Sequence, residues 1–141
     1  MIRFCKACGR ENRVPARHLA DRGKCGACKA ELPPLAEPID ADTKTFDEVL
    51  GTARVPVFVD FWAAWCGPCR MVAPEVKKLA AELAGKAVVL KVDTDAQPEV
   101  AGRFEIRSIP HFIVFKEGKP IVRESGARNQ SALAKLVERA G

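Results

Sequence analysis

The residues best suited to chemistry in this 141-residue chain are its six cysteines, which form three C-x-x-C pairs. Cys5/Cys8 and Cys25/Cys28 lie in the first quarter of the chain with sixteen residues between the pairs. Cys66/Cys69 stands alone further on. Two pairs at this separation are typical of a four-thiolate zinc site, whereas a single C-x-x-C favours a redox-active dithiol.

The two front pairs predict one structural zinc ion with all four front cysteines as ligands. In each pair a tight turn lets both sulfurs reach a tetrahedral ion about 2.3 Å away, and Gly9 and Gly26 are expected at positive φ in these turns. Two disulfides or an iron–sulfur site are the alternatives. Disulfides are disfavoured in a reducing compartment. His18 lies between the pairs and is expected on the surface rather than among the ligands.

The third pair is expected where a strand turns into a helix. Cysteines three apart on the first helical turn share a face, so their sulfurs can form a small disulfide ring. Cys66 would meet the unpaired N–H groups and the positive end of the helix dipole, which stabilise a thiolate. Cys69, one turn inside, is expected to be more buried and to attack second. Half of a metal site or a purely structural disulfide is the alternative interpretation.

Charge and composition place a boundary between these two functions. Residues 1–35 hold eight basic and three acidic side chains, whereas the remainder holds 15 of each sign. A proline-rich stretch follows the front cysteines, so we predict a zinc-binding module at 1–32, a linker at 33–38 and a second domain at 39–141. The front module has one aromatic residue, Phe4, and nucleic-acid binding is therefore not expected.

No apolar run approaches the length of about 18 residues that a membrane helix requires. The first residues also lack the apolar core of a secretory signal. We therefore expect a cytoplasmic protein without membrane contact.

Hydrophobic patterns predict an alternation of helices and strands in the second domain. Its order β-α-β-α-β-α-β-β-α indicates an α/β fold with a mixed central sheet flanked by helices. The first three predicted helices are 43–51, 66–83 and 98–104, and a fourth ends the chain. The first is capped by Asp42 or Thr43 and the fourth by Asn129 or Ser131. Pro74 lies inside the second, and Asp95 lies near the cap of the third. The predicted strands are 55–61, 87–92, 111–116 and 120–125.

Residues 38–141 closely resemble the thioredoxin family. The resemblance depends on the run from Val59 to Arg70, which includes Trp65-Cys66-Gly67-Pro68-Cys69, and on Ala73-Pro74, Lys91-Val92-Asp93, Ile106-Arg107-Ser108-Ile109-Pro110 and Phe115-Lys116-Glu117-Gly118. The front cysteines resemble those of a zinc-binding bacterial subclass of the family. The resemblance implies a thioredoxin fold preceded by a small N-terminal zinc ribbon.

The resemblance also implies roles for individual residues. Asp60 matches a buried carboxylate that accepts the Cys69 proton through water, and Lys91 matches the basic residue near it, with an ordinary strand lysine as the alternative. Pro110 matches a cis-proline opposite the dithiol, where an extended substrate segment pairs with the backbone. An apolar rim for protein partners, whose members could alternatively be simple core residues, would comprise Trp65, Gly67, Pro68, Ile109 and Gly126.

His111 departs from the family pattern, which usually has a small hydroxyl residue after the cis-proline. An imidazolium near Cys66 would stabilise its thiolate below about pH 6.5. The alternative is a strand residue with no coupling to Cys66.

These observations predict a protein-disulfide reductase. By analogy with the family, an NADPH-dependent thioredoxin reductase would restore the dithiol and disulfide-containing proteins would be the substrates. We expect a monomer with one zinc ion and no organic cofactor, acting in redox homeostasis and oxidative-stress defence. A binding module recruited through the zinc ribbon is a second hypothesis, and a zinc site that senses oxidation is a third.

Overall fold

A computed structural model describes all residues, 1–141, and its first part consists of two short hairpins. β1 (Ile2–Phe4) pairs with β2 (Glu11–Arg13), and β3 (Gly23–Lys24) pairs with β4 (Glu31–Leu32). A single 3-10 turn at Ala16–His18 connects the hairpins. Each hairpin therefore carries one C-x-x-C pair at its tip.

The rest of the chain forms a five-stranded sheet in the order β5-β7-β6-β8-β9. Its strands are β5 (Ile39–Asp40), β6 (Val57–Trp62), β7 (Val88–Asp93), β8 (His111–Lys116) and β9 (Lys119–Ser125). β5, β7 and β6 run parallel, and β8 and β9 are antiparallel to their neighbours. The predicted mixed sheet and element order are confirmed, although the first strand has only two residues.

Four helices flank the sheet: α1 (Thr43–Thr52), α2 (Gly67–Glu82), α3 (Pro98–Arg103) and α4 (Gln130–Arg139). α2 continues through Pro74, whose missing N–H leaves the carbonyl of Arg70 without its helical donor. The first three helices agree with their predicted bounds to within one residue at each end, and the terminal helix begins directly after Asn129, one of its two predicted caps.

Side-chain caps fix where two of these helices begin. Asp42 Oδ1 accepts a hydrogen bond from the Thr45 N–H at 2.8 Å, and Asn129 Oδ1 accepts one from the Ala132 N–H at 2.9 Å. Both caps satisfy a backbone donor that the helix leaves unpaired. Of each predicted pair of capping residues, the structure therefore selects Asp42 and Asn129.

Two apolar clusters cover the two faces of the sheet. One includes Phe46 of α1 and Phe115 of β8, and the other includes Leu79 of α2 and Leu133 of α4. β6 lies at the centre and is buried on both sides, as its continuous apolar run predicts. Asp60 is the one charged residue buried in this strand.

The front module packs against the larger domain. Ala16 and Leu19 belong to the same apolar cluster as Phe46, and the 3-10 turn contacts α1. The Leu35 N–H donates to the Leu19 carbonyl at 2.8 Å. The sequence left the relative placement of the two modules open. In the structure, Leu19 of the front module is buried in the core of the larger domain.

The front module has little core of its own. Its local cluster comprises Cys5, Cys25 and Leu32. Such a small unit requires a metal, a disulfide or a larger neighbour for stability. In the chain as a whole, no helix is both long enough and apolar enough to cross a membrane.

Candidate functional site: a dithiol and a four-cysteine cluster

The dithiol lies where β6 ends and α2 begins. Cys66 is the N-cap residue of α2, and its Sγ accepts a hydrogen bond from the Cys69 N–H at 3.1 Å. The two cysteines are joined by a disulfide, with their Cα atoms 5.2 Å apart. When the bond is reduced, the same N–H donor and the helix dipole stabilise a thiolate at Cys66.

The two sulfur-bearing residues are equally buried in this disulfide form. Cys66 and Cys69 are each 3% exposed, so the prediction that Cys69 is the more buried is wrong. Both pack with Ala63, Trp62 and Ile109 in one small cluster at the edge of the sheet.

A buried carboxylate lies in the strand that leads to the dithiol. Asp60 is 1% exposed, and its Oδ1 has no hydrogen-bond partner. Since side chains alternate along a strand, Asp60 shares with Phe58 the face that packs against α2. Burial raises the pKa of Asp60 to about 7, with the Lys91 charge acting in the opposite direction. The carboxyl can therefore both accept and release a proton near neutral pH.

Lys91 is the strand neighbour of that carboxylate. It pairs with Asp60 in the parallel register of β6 and β7. Its Nζ also lies 4.6 Å from the centre of the Trp62 ring, a cation–π arrangement. The Trp62 Nε1 is buried without an acceptor. Lys91 thus occupies the position near Asp60 that the family resemblance implies.

The loop opposite the dithiol contains the cis peptide bond implied by the resemblance, between Ile109 and Pro110. The Pro110 carbonyl accepts a hydrogen bond from the Gly126 N–H at 2.9 Å. Gly126 has a φ of 98°, a left-handed conformation that favours glycine. The carbonyl oxygen of Ile109 lies 3.7 Å from Cys66 Sγ, so this loop contacts the dithiol directly.

The expected rim residues differ in exposure. Trp65 is 68% exposed, Pro68 and Gly126 are exposed, and Gly67 and Ile109 are half-buried. Pro110 is buried. The exposed part of this surface is apolar and adjoins the Cys66 turn, which suits contact with another protein.

Asp95 has a role that sequence reasoning missed. Its Oδ2 accepts a hydrogen bond from the Trp65 Nε1 at 2.9 Å, which orients the exposed indole. Asp95 lies two residues before Gln97, the N-cap residue of α3, which agrees with its predicted position near the cap, and no side chain caps this helix. A signal was available, since Trp65 and Asp95 each follow the carboxyl end of adjacent parallel strands, and such ends meet at one sheet edge.

His111 has contacts on the other face of the sheet. It pairs across strands with Phe61, and its Nε2 accepts a hydrogen bond from Arg123 Nε at 3.3 Å. Burial and the nearby Arg123 charge lower the pKa of His111, against the opposing influence of Glu124. The imidazole is therefore neutral near pH 7. This geometry favours the alternative of a strand residue without coupling to Cys66.

The four front cysteines form a second site. Their sulfurs all lie within 4.8 Å of one another. Sγ–Sγ distances are 3.6 Å for Cys5–Cys28 and 3.7 Å for Cys8–Cys25. A tetrahedral ion with metal–sulfur bonds of about 2.3 Å requires sulfur separations of about 3.8 Å. The cluster therefore fits zinc, and His18 is not part of it: its imidazole contacts Asp21 at 2.7 Å.

Hydrogen bonds to sulfur favour the thiolate form of Cys5 and Cys25, the two buried members of the cluster. N–H groups of the Cys8 and Ala7 backbone lower the pKa of Cys5. The Cys28 N–H, the Asn12 side chain and the Ala27 N–H lower the pKa of Cys25 to about 6. Zinc binds the thiolate, so these donors favour metal binding at Cys5 and Cys25. At Cys8 the Arg10 N–H acts in the same direction, but burial and the neighbouring sulfurs outweigh it and raise the pKa to about 11.

One turn residue differs from the sequence prediction. Gly9 has the expected positive φ, 75°, but Gly26 does not. In the second turn the left-handed residue is Lys29, with a φ of 65°. Gly9 and Lys29 each follow the second cysteine of their pair, so the two turns have the same backbone conformation in corresponding places.

Asn12 is a second residue that sequence reasoning missed. Its Oδ1 accepts a hydrogen bond from the Gly26 N–H at 2.9 Å, and its Nδ2 lies 3.5 Å from Cys25 Sγ. Asn12 belongs to the first hairpin and both contacts belong to the second. It therefore fixes the two halves of the cysteine cluster against each other.

Comparison with known proteins divides the chain in the same two parts. The thioredoxin family profile matches residues 37–139. A second profile, described as "Thioredoxin 2, N-terminal" and representing a zinc ribbon, matches residues 4–30. The dithiol lies in the first match and the four-cysteine cluster begins and ends within the second.

Individual relatives are thioredoxins from several lineages. The chain is 39% identical over 127 residues to thioredoxin C-3 of Corynebacterium nephridii, covering 90% of this chain and 86% of that protein. It is 49% identical over 84 residues to thioredoxin 1 of Chlorobaculum tepidum, covering 60% of this chain and 83% of that protein. Among solved structures, a single-residue mutant of thioredoxin from Halobacterium salinarum is 32% identical with a TM-score of 0.67, covering 73% of this chain and 89% of that one.

Proposed function

This chain belongs to the thioredoxin family of thiol-disulfide oxidoreductases, and from that premise we propose that it reduces disulfide bonds in other proteins through Cys66 and Cys69. The observation that carries the proposal is the position of Cys66 at the N-terminus of α2, with the Cys69 N–H directed at its sulfur. This position makes Cys66 the better thiolate of the pair and hence the nucleophile.

The first step is attack of the reduced Cys66 thiolate on one sulfur of a client disulfide. The client S–S bond breaks, and a mixed disulfide forms between Cys66 and the attacked sulfur. The other client sulfur leaves as a thiolate and takes a proton from water. The carbonyl of Ile109, 3.7 Å from Cys66 Sγ, lies at the place where the client backbone would pair with the loop that contains Pro110.

In the second step the Cys69 thiol gives up its proton and attacks Cys66 Sγ. The Cys66–Cys69 disulfide forms, the mixed disulfide breaks, and the second client sulfur leaves as a thiolate. Asp60 is our proposed acceptor of the Cys69 proton, acting through water, because its pKa near 7 suits both uptake and release. Lys91 is a positioning residue that moderates this pKa by its charge.

Client proteins would bind on the exposed apolar surface around the Cys66 turn. We assign this surface to Trp65, Gly67, Pro68, Ile109, Pro110 and Gly126. His111 is the first residue of β8, directly after Pro110, and it faces Arg123, so we expect at most a steric contribution from it. Trp65 would make the largest contact, since its ring is exposed and its orientation is fixed by Asp95.

We further propose that the four front cysteines bind one zinc ion in a structural role. Zinc would supply a closed tetrahedral cross-link between the two hairpins, with no open position for a substrate. The domain limits that we propose are 1–32 for this module, 33–38 for the linker and 39–141 for the thioredoxin domain. An NADPH-dependent thioredoxin reductase would regenerate the dithiol. We propose that the protein acts as a monomer and needs no organic cofactor. Redox homeostasis and oxidative-stress defence in the cytoplasm are the corresponding cellular role.

The experiment that tests the proposal is reduction of insulin disulfides by the zinc-loaded chain, with dithiothreitol as the electron source. We expect the wild type to accelerate the reduction and Cys66→Ser to abolish the acceleration. In a separate reaction from which dithiothreitol has been removed, pre-reduced Cys69→Ser should form a mixed disulfide that its own second cysteine can no longer resolve, visible as a covalent adduct on a non-reducing gel. Ala64→Ser is the control, because it alters an exposed neighbour without removing a sulfur. Full activity in Cys66→Ser would overturn the proposal.

A repeat after zinc chelation separates the two sites. The dithiol is not part of the cysteine cluster, so chelated protein that is still folded should retain most of its insulin reduction. A binding module without redox activity would behave in the opposite way: its partner binding would survive both cysteine substitutions and would be lost on chelation.

A further inference from the structure

A cleft of about 490 Å³ lies between the two hairpins of the front module. It is lined by cationic side chains from both hairpins, namely Arg3, Arg13, Arg22 and Lys24. No cysteine and no residue of the dithiol surface contributes to it. The cleft is thus separate from the dithiol, and it adjoins the four-cysteine cluster through Asn12, which lines it.

The cations of this cleft are only partly neutralised. Arg22 pairs with Glu31 at 3.0 Å, and Asp21 contacts His18 at 2.7 Å. Arg13 and Lys24 are exposed and make no side-chain hydrogen bond or ion pair within the chain. Two free cations therefore face the same cleft.

A second cleft extends the positive surface along the same hairpin. It has a volume of about 450 Å³, shares Arg22, Gly23 and Lys24 with the first cleft, and adds Lys29. The excess positive charge of the whole chain lies in residues 1–35, because the remainder has equal numbers of acidic and basic residues. Anionic partners would therefore be attracted to this module rather than to the thioredoxin domain.

We propose that the groove formed by these two clefts, which share Arg22, Gly23 and Lys24, binds an acidic peptide segment of a partner protein. The two clefts together offer more cationic side chains than a single small anion needs: Arg3, Arg13, Arg22, Lys24 and Lys29. Arg side chains match carboxylates with planar, paired donors. Val14, Pro15 and Leu32 line the first cleft as well and offer apolar contact between acidic positions.

A nucleic acid fits this groove less well than an acidic peptide. No Phe, Tyr or Trp lines either cleft, whereas proteins that bind single strands stack bases on aromatic rings. Asp21 lines the first cleft and Glu31 lines the second, where they would repel an unbroken row of phosphates. A peptide with spaced carboxylates can place uncharged residues next to both.

The test measures binding of a cysteine-free, fluorescein-labelled octapeptide of alternating Glu and Gly to the full zinc-loaded chain by fluorescence anisotropy. The Gln and Gly peptide of the same length is the uncharged reference. We expect affinity for the Glu peptide to fall with added salt. The double variant Arg13→Ser/Lys24→Ser should lose about tenfold in affinity, since two exposed charge pairs are removed.

The matched control is Arg17→Ser/Lys86→Ser, which removes two exposed positive charges that do not line the groove. We expect its affinity to be nearly that of the wild type. Equal losses in the two double variants, or equal affinity for the Glu and Gln peptides, would refute the groove. Displacement of the peptide by an equal concentration of inorganic phosphate would make it a small-anion site, and tighter binding of a single-stranded oligonucleotide would make it a nucleic-acid site; both results overturn the proposal.

Zinc content and circular dichroism of each variant establish that the module is folded. The peptide has no sulfur, so the measurement is independent of disulfide reduction. The groove can therefore fail while insulin reduction persists, and the reverse result is equally distinguishable.

Discussion

Replacing Asp60 with Asn should stabilise the oxidised protein, and the gain should grow with pH. Burial raises the pKa of Asp60 in the folded protein to about 7, from an ordinary value of 3.8. The folded state therefore holds this proton more tightly than the unfolded state does. Below pH 3.8 the carboxyl is protonated in both states and costs no stability. As the pH rises from 3.8 to about 7, its contribution to the free energy of unfolding is progressively lost, and above 7 the loss is complete.

The size of the effect follows from the two pKa values. Each pKa unit corresponds to about 1.4 kcal/mol, so the ionised Asp60 costs about 4 kcal/mol of folding free energy at pH 8.5. At pH 5.5 the unfolded carboxyl is already ionised while the folded one is protonated, and the cost is about 2 kcal/mol. Asn has nearly the same shape as the protonated carboxyl and does not titrate. The stability difference between Asp60→Asn and wild type should therefore increase by about 2 kcal/mol across this range.

The assay is equilibrium urea unfolding of both oxidised, zinc-loaded proteins at several pH values. Comparing the two at each pH cancels changes in the zinc site, which both proteins share. Glu138→Gln is the control, because it removes an exposed carboxylate that makes no side-chain hydrogen bond. A difference between Asp60→Asn and wild type that stays constant from pH 5.5 to 8.5 would refute the buried, raised-pKa carboxyl.

Three further predictions concern residues outside the dithiol. Leu19→Ala should lower the free energy of unfolding of the thioredoxin domain by about 2–4 kcal/mol, because it removes a buried side chain from the shared core; denaturant unfolding followed by tryptophan fluorescence measures this, and an unchanged midpoint would mean that the modules do not pack together. Asn12→Ala should bind zinc with about tenfold lower affinity than the wild type, since it breaks the link to Gly26. Competition with a chromogenic chelator measures this affinity, and a value equal to that of the wild type would show that Asn12 does not support the site. Asp95→Ala should raise the KM for insulin more than it lowers kcat, because the Trp65 indole loses its acceptor; a fall in kcat alone would contradict this.

The second domain was predictable because its strongest features are local. Asp42 and Asn129 are good capping residues at the starts of amphipathic runs, and both cap helices in the structure. The apolar run of β6 indicates burial on both faces, which the structure confirms. The position of Cys66 at a helix N-terminus follows from the order of a strand, a short turn and a helix. None of these inferences requires knowledge of distant contacts.

Several features that the sequence left open or did not indicate are contacts between segments that are far apart in the chain. Asp95 bonds to Trp65, 30 residues away. Leu19 reaches the core around α1, and nothing in its neighbouring residues indicates that it would be buried there rather than exposed on a small module. The sequence left open whether His111 couples to Cys66 or is an uncoupled strand residue, and strand alternation directs its imidazole to the Phe61 face.

The Gly26 prediction failed for a different reason. Glycine permits a left-handed conformation without requiring it, so composition alone indicates where positive φ is cheap. The turn itself decides which position needs it, and that position follows the second cysteine of each pair. At Lys29 a non-glycine residue therefore adopts the left-handed conformation.

The energetics of Asp60 connect the fold to the proposed chemistry. The free energy of unfolding of a domain of this size is only about 5–15 kcal/mol. A buried carboxylate that costs about 4 kcal/mol at alkaline pH therefore removes a large share of that stability. An amide of the same shape would avoid that cost, and a valine in this strand would add apolar burial. We propose that a group that exchanges a proton near pH 7 lies between β6 and α2 because the resolving thiol must lose a proton at each turnover. The stability that Asp60→Asn gains should therefore be accompanied by slower resolution of the mixed disulfide near neutral pH.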